Sequence, residues 1–186
     1  MVREMAFRDE NRHELHLKVG DLIEDSLDER VQLVRDQACG GNQQIPLFCS
    51  EDKSRRTEYC NVDLLVIQDG KISVIVEIEE SDLKPTQICG KFLTSALARY
   101  YIHEKEGNMP IGMQDVVTFI QVVDASNLER LSAKPYQWKN LESSIEKILP
   151  IKDSNIVEYR LFTDLELKEL VNHILEWSYV ASNLKR

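Results

Sequence analysis

The segment 61–80, NVDLLVIQDGKISVIVEIEE, constrains the fold more than any other part of the chain. Two runs rich in Val, Ile and Leu flank a central QDGK, a pattern typical of a β-hairpin with a tight turn. Because side chains alternate along a strand, Glu77 and Glu79 lie on one face of the second strand, and the valine and isoleucine that flank Glu77 lie on the other. The sequence therefore predicts a hairpin that carries two carboxylates on one face.

The register of this hairpin decides whether Asp63 joins the two glutamates, because a one-residue shift moves every side chain of a strand to the opposite face. A two-residue turn places Asp63 opposite Val76, away from the glutamates. A three-residue loop, whose glycine takes the left-handed position of a bulge, places Asp63 opposite Ile75 and aligns the apolar residues of both strands. We predict this second register, which brings Asp63 onto the face of Glu77 and Glu79.

Three carboxylates gathered in this way repel one another unless they bind a cation or retain a proton. Oxygen ligands suit Mg²⁺, or Mn²⁺, better than Zn²⁺. The same spacing also occurs where acidic side chains line a solvated rim, and spacing alone leaves both interpretations open.

Helical and strand patterns continue on both sides of the hairpin. Apolar periodicity, turn residues and capping signals predict these elements in chain order: a helix over 8–27, a strand over 30–38, a long loop over 39–60, the hairpin, a helix over 84–106, a strand over 113–124, a helix over 135–149, a strand over 155–162, and a last helix opened by a capping box at 163–166. We expect a single α/β domain over residues 1–186, without internal repeats.

Composition excludes several classes of protein. No apolar run approaches the roughly 20 residues that span a bilayer, and the charged N-terminus lacks the apolar centre of a secretory signal, so we expect a cytoplasmic protein without a membrane partner. The four cysteines are not in the close pairs of structural zinc sites and are interpreted as ordinary thiols. The four histidines match no metalloprotease spacing and are assigned no chemistry.

The formal net charge of −9 argues against a broad basic surface for nucleic acid. It is compatible with a compact carboxylate site flanked by a few cations. Lys53, Arg55 and Arg56 in the predicted loop are the candidates for contacts with phosphate, and a solvated loop is the alternative for them.

The hairpin and its carboxylates resemble the active-site signature of the PD-(D/E)xK nuclease superfamily, which includes restriction endonucleases, junction resolvases and repair exonucleases. An Asp ends one strand, E-x-E follows on the next, and thirteen residues separate Asp63 from Glu77. The family core has the order αβββαβ, as do the first two thirds of this chain. The resemblance implies a restriction-endonuclease-like core, with a mixed central sheet flanked by helices and a C-terminal helix–strand–helix extension. Val62 replaces the first Pro of the family name.

The resemblance also assigns roles to residues. It implies that Asp63 bridges the metal, that Glu77 is the second ligand, and that the backbone carbonyl of Ile78 completes the shell. Glu79 occupies the position of the family's lysine, which is a departure from the pattern. The other implied residues are Lys84 or Lys91 as a replacement lysine, Gln87 as a catalytic glutamine, Glu14 (or Glu10) as a further metal ligand, and Lys91 as a phosphate contact.

The activity implied by the resemblance is Mg²⁺-dependent hydrolysis of phosphodiester bonds in DNA, of a restriction or repair type, by a monomer or a homodimer. Two alternatives stay open. One is a catalytically inactive nuclease-like module that mediates protein or nucleic-acid binding, which the acidic charge and the E-x-E variant favour. The other is a different metal-dependent hydrolase on an unrelated α/β fold.

Overall fold

A mixed eight-stranded β-sheet forms the centre of the computed structural model, which describes residues 13–80, 84–126 and 133–183. The helices are α1 (Glu14–Glu24), α2 (Pro85–Leu97), α3 (Lys134–Glu146) and α4 (Leu167–Asn183). The strands are β1 (Val31–Arg35), β2 (Pro46–Phe48), β3 (Glu58–Asn61), β4 (Leu64–Gln68), β5 (Lys71–Glu79), β6 (Tyr100–Tyr101), β7 (Ile111–Val123) and β8 (Ile156–Thr163). The predicted α/β class, with a mixed sheet and helices, is confirmed.

The main strands run in the order β1-β4-β5-β7, with β8 on the far side of β7. The pairs β1–β4 and β4–β5 are antiparallel, whereas β5–β7 and β7–β8 are parallel. Each parallel pair is joined by a crossover that contains a helix, α2 in the first and α3 in the second, as parallel strands require. The carboxyl ends of β5, β7 and β8 therefore lie at one edge of the sheet.

Both faces of the sheet are covered by helices. Leu64, Val66 and Val76 pack with buried residues of α1 and α4, while Leu65 and Ile75 pack with buried residues of α2 and α3. Burial on both faces explains why β4 and β5 are almost continuously apolar. A polar side chain within these strands is therefore exceptional and calls for a partner.

The predicted pairing register of the hairpin is wrong. The side chains of β4 and β5 nevertheless share the faces of the sheet that the prediction assigned to them. The turn has two residues, Asp69 and Gly70, with φ angles of 53° and 72°, and Gln68 pairs with Lys71. A bulge at Ser73 then shifts the pairing by one residue, so that Leu64 lies opposite Val76. The prediction places one extra residue in the turn, whereas the structure has it at the bulge. Either position changes the pairing by one residue, so the side chains of β4 and β5 alternate relative to each other as predicted.

The long loop predicted over 39–60 is also wrong, since it contains β2 and β3. These strands have only three and four residues, and β2 pairs with β6, which the sequence analysis had included in a helix over 84–106. That helix ends at Leu97, because Tyr100 and Tyr101 join β2 and the start of β7 instead. Pairing with distant strands overrides local helix propensity here.

No helix in the described ranges is long and apolar enough to cross a membrane. The first helix begins at Glu14 in the structure, and the part of its prediction over residues 8–12, with Glu10, lies outside the described residues. The predicted capping box is only half formed. Glu166 Oε2 accepts hydrogen bonds from the backbone N–H and the hydroxyl of Thr163, both at 2.9 Å, but Thr163 is the last residue of β8 and α4 begins at Leu167.

Candidate functional site

Carboxylates from the hairpin and a lysine from α2 meet near the end of β5. Lys91 Nζ lies 2.9 Å from Oε2 of Glu77 and also forms an ion pair with Glu79. Glu77 is 1% exposed, whereas the side chain of Lys91 is 37% exposed. The ammonium group therefore joins a buried carboxylate to the protein surface. The neighbouring carboxylates raise the pKa of Lys91, although burial opposes them, so this lysine is a permanent cation.

Asp63 lies at the bend between β3 and β4, beside the same end of β5. Its Oδ2 accepts a hydrogen bond of 2.6 Å from the backbone N–H of Ile78. The N–H and C=O of one strand residue point to the same side, so the carbonyl of Ile78 also faces this position, beyond the last paired residue of β4. Burial raises the pKa of Asp63, and the hydrogen bond from Ile78 opposes the rise.

Glu77 is the most perturbed carboxylate of the cluster. Burial raises its pKa to about 8, the charge of Asp63 adds to the rise, and Lys91 opposes it. Its Oε1 atom is buried and has no hydrogen-bond partner among the described residues. A buried oxygen of this kind costs free energy unless a proton or a cation reaches it. Glu77 is thus prepared to exchange a proton for a positively charged ligand.

Gln121 and Tyr159 extend the cluster into the core, and the sequence analysis missed both. Gln121 on β7 is the register partner of Glu77 on β5 and is completely buried. In the part of the chain that the structure describes, its Nε2 has no hydrogen-bond partner, while its side-chain oxygen accepts a 2.7 Å hydrogen bond from the hydroxyl of Tyr159. The signal in the sequence was a glutamine inside the apolar run TFIQVV. An unpartnered donor and an unpartnered acceptor therefore occupy neighbouring strands.

Two histidines, to which the sequence analysis assigned no chemistry, lie on the other side of Asp63. The Nε2 of His16 is 3.8 Å from Asp63 Oδ2, and its Nδ1 is 2.9 Å from Oε1 of Glu80. The backbone N–H groups of His13 and His16 donate to the same carboxylate at 2.8 and 2.9 Å. Although burial acts to raise it, these hydrogen bonds hold the pKa of Glu80 below its ordinary value.

Several predicted site residues lie apart from this cluster. Glu14 is exposed on the first turn of α1, beside a groove that includes Glu80. Lys84 is the exposed N-cap residue of α2, and its backbone N–H donates to Oε1 of Gln87 at 2.9 Å, so Gln87 caps the helix. Among the two lysines proposed to replace the family's lysine, Lys91 is the one that contacts the carboxylates.

Three of the four predicted phosphate contacts, Lys53, Arg55 and Arg56, are on exposed positions of the β2–β3 loop, whereas the fourth, Lys91, is on α2. Lys53 and Arg55 line an open groove of about 390 Å³, together with the buried Phe48. Lys53 Nζ donates to Oδ1 of Asn108 at 2.7 Å, which ties the loop to the segment before β7. Glu58 and Glu104 line the same groove, so its two cations are offset by two carboxylates and the groove is not a basic surface.

The donor set of the carboxylate cluster fits a hard divalent cation. Asp63, Glu77 and the carbonyl of Ile78 supply oxygen atoms, and Mg²⁺ in proteins commonly uses one or two carboxylates and keeps several waters. The unpartnered Oε1 of Glu77 is the observation that favours a cation there. Comparison of the chain with models of known protein families, with characterised proteins and with solved structures found no match.

Proposed function

We propose that the protein is a Mg²⁺-dependent nuclease that hydrolyses phosphodiester bonds in DNA, with an active site of the PD-(D/E)xK type. The observation that carries this proposal is the ion pairing of Lys91 with Glu77 and Glu79. A lysine from α2 thereby takes the place left by the E-x-E substitution, next to the buried carboxylate. A solvated acidic rim, the simpler interpretation of the spacing, does not account for a carboxylate that is 1% exposed.

The topology supports the same proposal. The path α1, β1, β4, β5, α2, β7 has the family's order of helix, three strands, helix and strand, with a parallel last pair. The short strands β2, β3 and β6 are then insertions into this core, and α3, β8 and α4 form the C-terminal extension. The carboxylates lie where the hairpin ends and the crossover through α2 begins.

Each residue of the site has a distinct task in this proposal. Asp63, Glu77 and the Ile78 carbonyl would hold Mg²⁺, which supplies a Lewis acid for the phosphate and lowers the pKa of a water. Lys91, always charged, stabilises the negative charge that develops on the phosphate oxygens. Because Lys91 cannot accept a proton, Glu79 is the residue that orients the attacking water or accepts its proton.

The direct test combines metal binding with cleavage. We expect the wild-type protein to cleave labelled duplex or branched DNA in the presence of Mg²⁺ or Mn²⁺ and to be inactive with a chelator. Asp63→Asn should weaken the Mn²⁺ affinity measured by calorimetry at least about tenfold. Removing a group that only supports a metal ligand already weakens metal affinity by about tenfold, and Asp63 is a direct ligand in this proposal. Glu51→Gln, in an exposed loop, is the control and should bind Mn²⁺ as the wild type does.

Absence of both cleavage and metal binding would contradict the proposal and leave an inactive nuclease-like module. Metal binding without cleavage of any DNA, but with cleavage of RNA, would keep the chemistry and correct the substrate.

Gln121 provides a further prediction, as a positioning residue that acts through Glu77. Gln121→Leu removes the buried, unpartnered amide at the register position next to Glu77, and we expect Mn²⁺ affinity to fall about 10- to 100-fold, as for other groups that orient metal ligands. Tyr159→Phe removes only the hydroxyl that donates to the side-chain amide of Gln121, so it should lower the Mn²⁺ affinity by a smaller factor. Calorimetry gives the affinities, and melting temperatures show whether the fold is retained. Unchanged affinity in folded Gln121→Leu would contradict this role.

A further inference from the structure

We propose that His13, His16 and Glu80 form a second metal site, which binds one ion of the zinc class and is separate from the Asp63 and Glu77 site. Within the described ranges, these three residues are the group of His, Cys, Asp or Glu whose ligand atoms all lie within 4.8 Å of one another. Two imidazoles and a carboxylate are a donor set that zinc uses in catalytic sites with an open fourth position.

The geometry requires only small movements to receive the ion. His16 Nδ1 and Glu80 Oε1 are 2.9 Å apart, and two ligands of a tetrahedral zinc lie about 3.4 Å apart, since each bond is roughly 2.1 Å. The pair must therefore open by about half an ångström. His13 is exposed, so its ring is free to approach until its nitrogen reaches the same ion.

Glu80 is held in place without using all of its acceptor positions. The backbone N–H groups of His13 and His16 fix its two oxygens at the N-terminus of α1. The third contact joins His16 Nδ1 to Oε1. A metal ion would bind the Nδ1 lone pair of the neutral ring, whose single proton then lies on Nε2, so the ring neither gains nor loses a proton. A carboxylate has about four lone-pair sites, so Glu80 binds the ion and keeps both backbone contacts.

The other nitrogen of His16 also has a carboxylate nearby, at a distance longer than a hydrogen bond. Histidines that bind a metal through one nitrogen commonly donate the second N–H to a carboxylate, which fixes the ring. His16 Nε2 faces Asp63 Oδ2 at 3.8 Å, and His16 is 8% exposed. Metal binding at Nδ1 leaves the proton on Nε2, directed at Asp63. The second site is thereby connected to the carboxylate cluster through one imidazole ring.

The surroundings favour a cation and leave room for further ligands. Glu80 lines a groove of about 460 Å³ at the carboxyl ends of β5, β7 and β8, together with Glu14, Asp124 and Asp164. Lys18 is the cation in this lining. A concave surface with several carboxylates concentrates divalent ions. Water or an anionic ligand can reach the open coordination position from the groove.

The test uses Co²⁺ as a visible substitute for Zn²⁺ and needs no nuclease activity. It is made in the Glu77→Gln background, which disables the carboxylate site, with excess Mg²⁺ present. We expect one equivalent of Co²⁺ to bind with the absorption of a site with nitrogen ligands. His13→Ala and Glu80→Gln should each weaken binding at least about tenfold. Glu80→Gln keeps an oxygen for the backbone N–H groups, and His103→Ala is the matched control.

Equal Co²⁺ binding in His13→Ala, Glu80→Gln and the parent would overturn the proposal, as would the absence of binding by the parent. Co²⁺ that is bound by the wild type but lost in Glu77→Gln would place the ion at the carboxylate cluster, and would also overturn it. Because the readout is Co²⁺ absorption, the second site and the nuclease activity can fail independently.

Discussion

Glu77→Gln is expected to abolish metal-dependent cleavage and, at the same time, to stabilise the metal-free protein at pH 8. The cleavage rate should fall by about 10²–10³-fold or more. This is the loss expected when one group that stabilises charge in a transition state is removed. The gain in stability arises because glutamine has the shape of glutamate without its buried charge. An ordinary structural glutamate that pairs with a lysine would show the opposite change in stability.

The pH dependence follows from the proton that Glu77 holds. The unfolded chain releases this proton near pH 4.5, whereas the folded protein retains it up to about pH 8. The folded state therefore binds more protons throughout this interval, and the free energy of unfolding falls as pH rises from about 4.5 to about 8. Glu77→Gln should flatten that slope. Near pH 4.5 the two proteins should be similarly stable.

Thermal unfolding at pH 5 and pH 8 measures the difference. A gain of 1 kcal/mol corresponds to about 2–4 °C in a chain of this size. Mg²⁺ should raise the melting temperature of the wild type more at pH 8 than at pH 5, because protons and the cation compete for Glu77. Glu51→Gln is again the control. The wild type could instead be more stable at pH 8 than at pH 5, with the same dependence of unfolding free energy on pH in Glu77→Gln. That result would contradict the claim that the buried Glu77 retains a proton.

The matching side-chain alternation of β4 and β5 was predictable from the sequence, but their register was not. The period of two along a strand fixes which side chains share a face, and burial of both faces demanded consistent alternation. The bulge at Ser73 is stabilised by a hydrogen bond from the serine hydroxyl to the carbonyl of Val66, 3.1 Å long. That hydrogen bond joins β4 and β5 at the bulge. Because serine is also compatible with a regular strand, its presence in the sequence does not reveal the bulge.

The missed parts of the site have a common physical cause. His16 and Gln121 reach the carboxylates through contacts that span 40 residues or more of sequence, so neither had a local pattern. Lys91 was recognisable only as one of two lysines on the following helix. The helix rotates by about 100° per residue, and its packing decides that Lys91, rather than Lys84, points at Glu77. Similarly, the segments of β2 and β6 are strands because they pair with each other across the sequence, rather than because of a local pattern.

Lys91→Met should abolish activity and destabilise the protein at pH 8, and a second substitution should restore part of the activity. Methionine keeps the apolar stem but leaves Glu77 and Glu79 without their cation, at a cost of about 1–3 kcal/mol when the carboxylates ionise. At pH 5, where Glu77 is protonated, the cost should be smaller. We expect the cleavage rate to fall by about 10²–10³-fold.

The double variant Glu79→Lys with Lys91→Met moves the lysine from α2 to the strand, which recreates the E-x-K order of the family. If Lys91 takes over that role, this variant should be at least about tenfold more active than Lys91→Met, since the ammonium group again lies beside Glu77, but it should stay below the wild type because Glu79 is gone. Glu79→Gln with Lys91→Met is the matched control and should stay inactive. A double variant that binds Mn²⁺ normally, yet is as inactive as this control, would show that Lys91 has no such role. Recovery to the full wild-type rate would show instead that Glu79 is dispensable as the base, and would transfer that task to a metal-bound water.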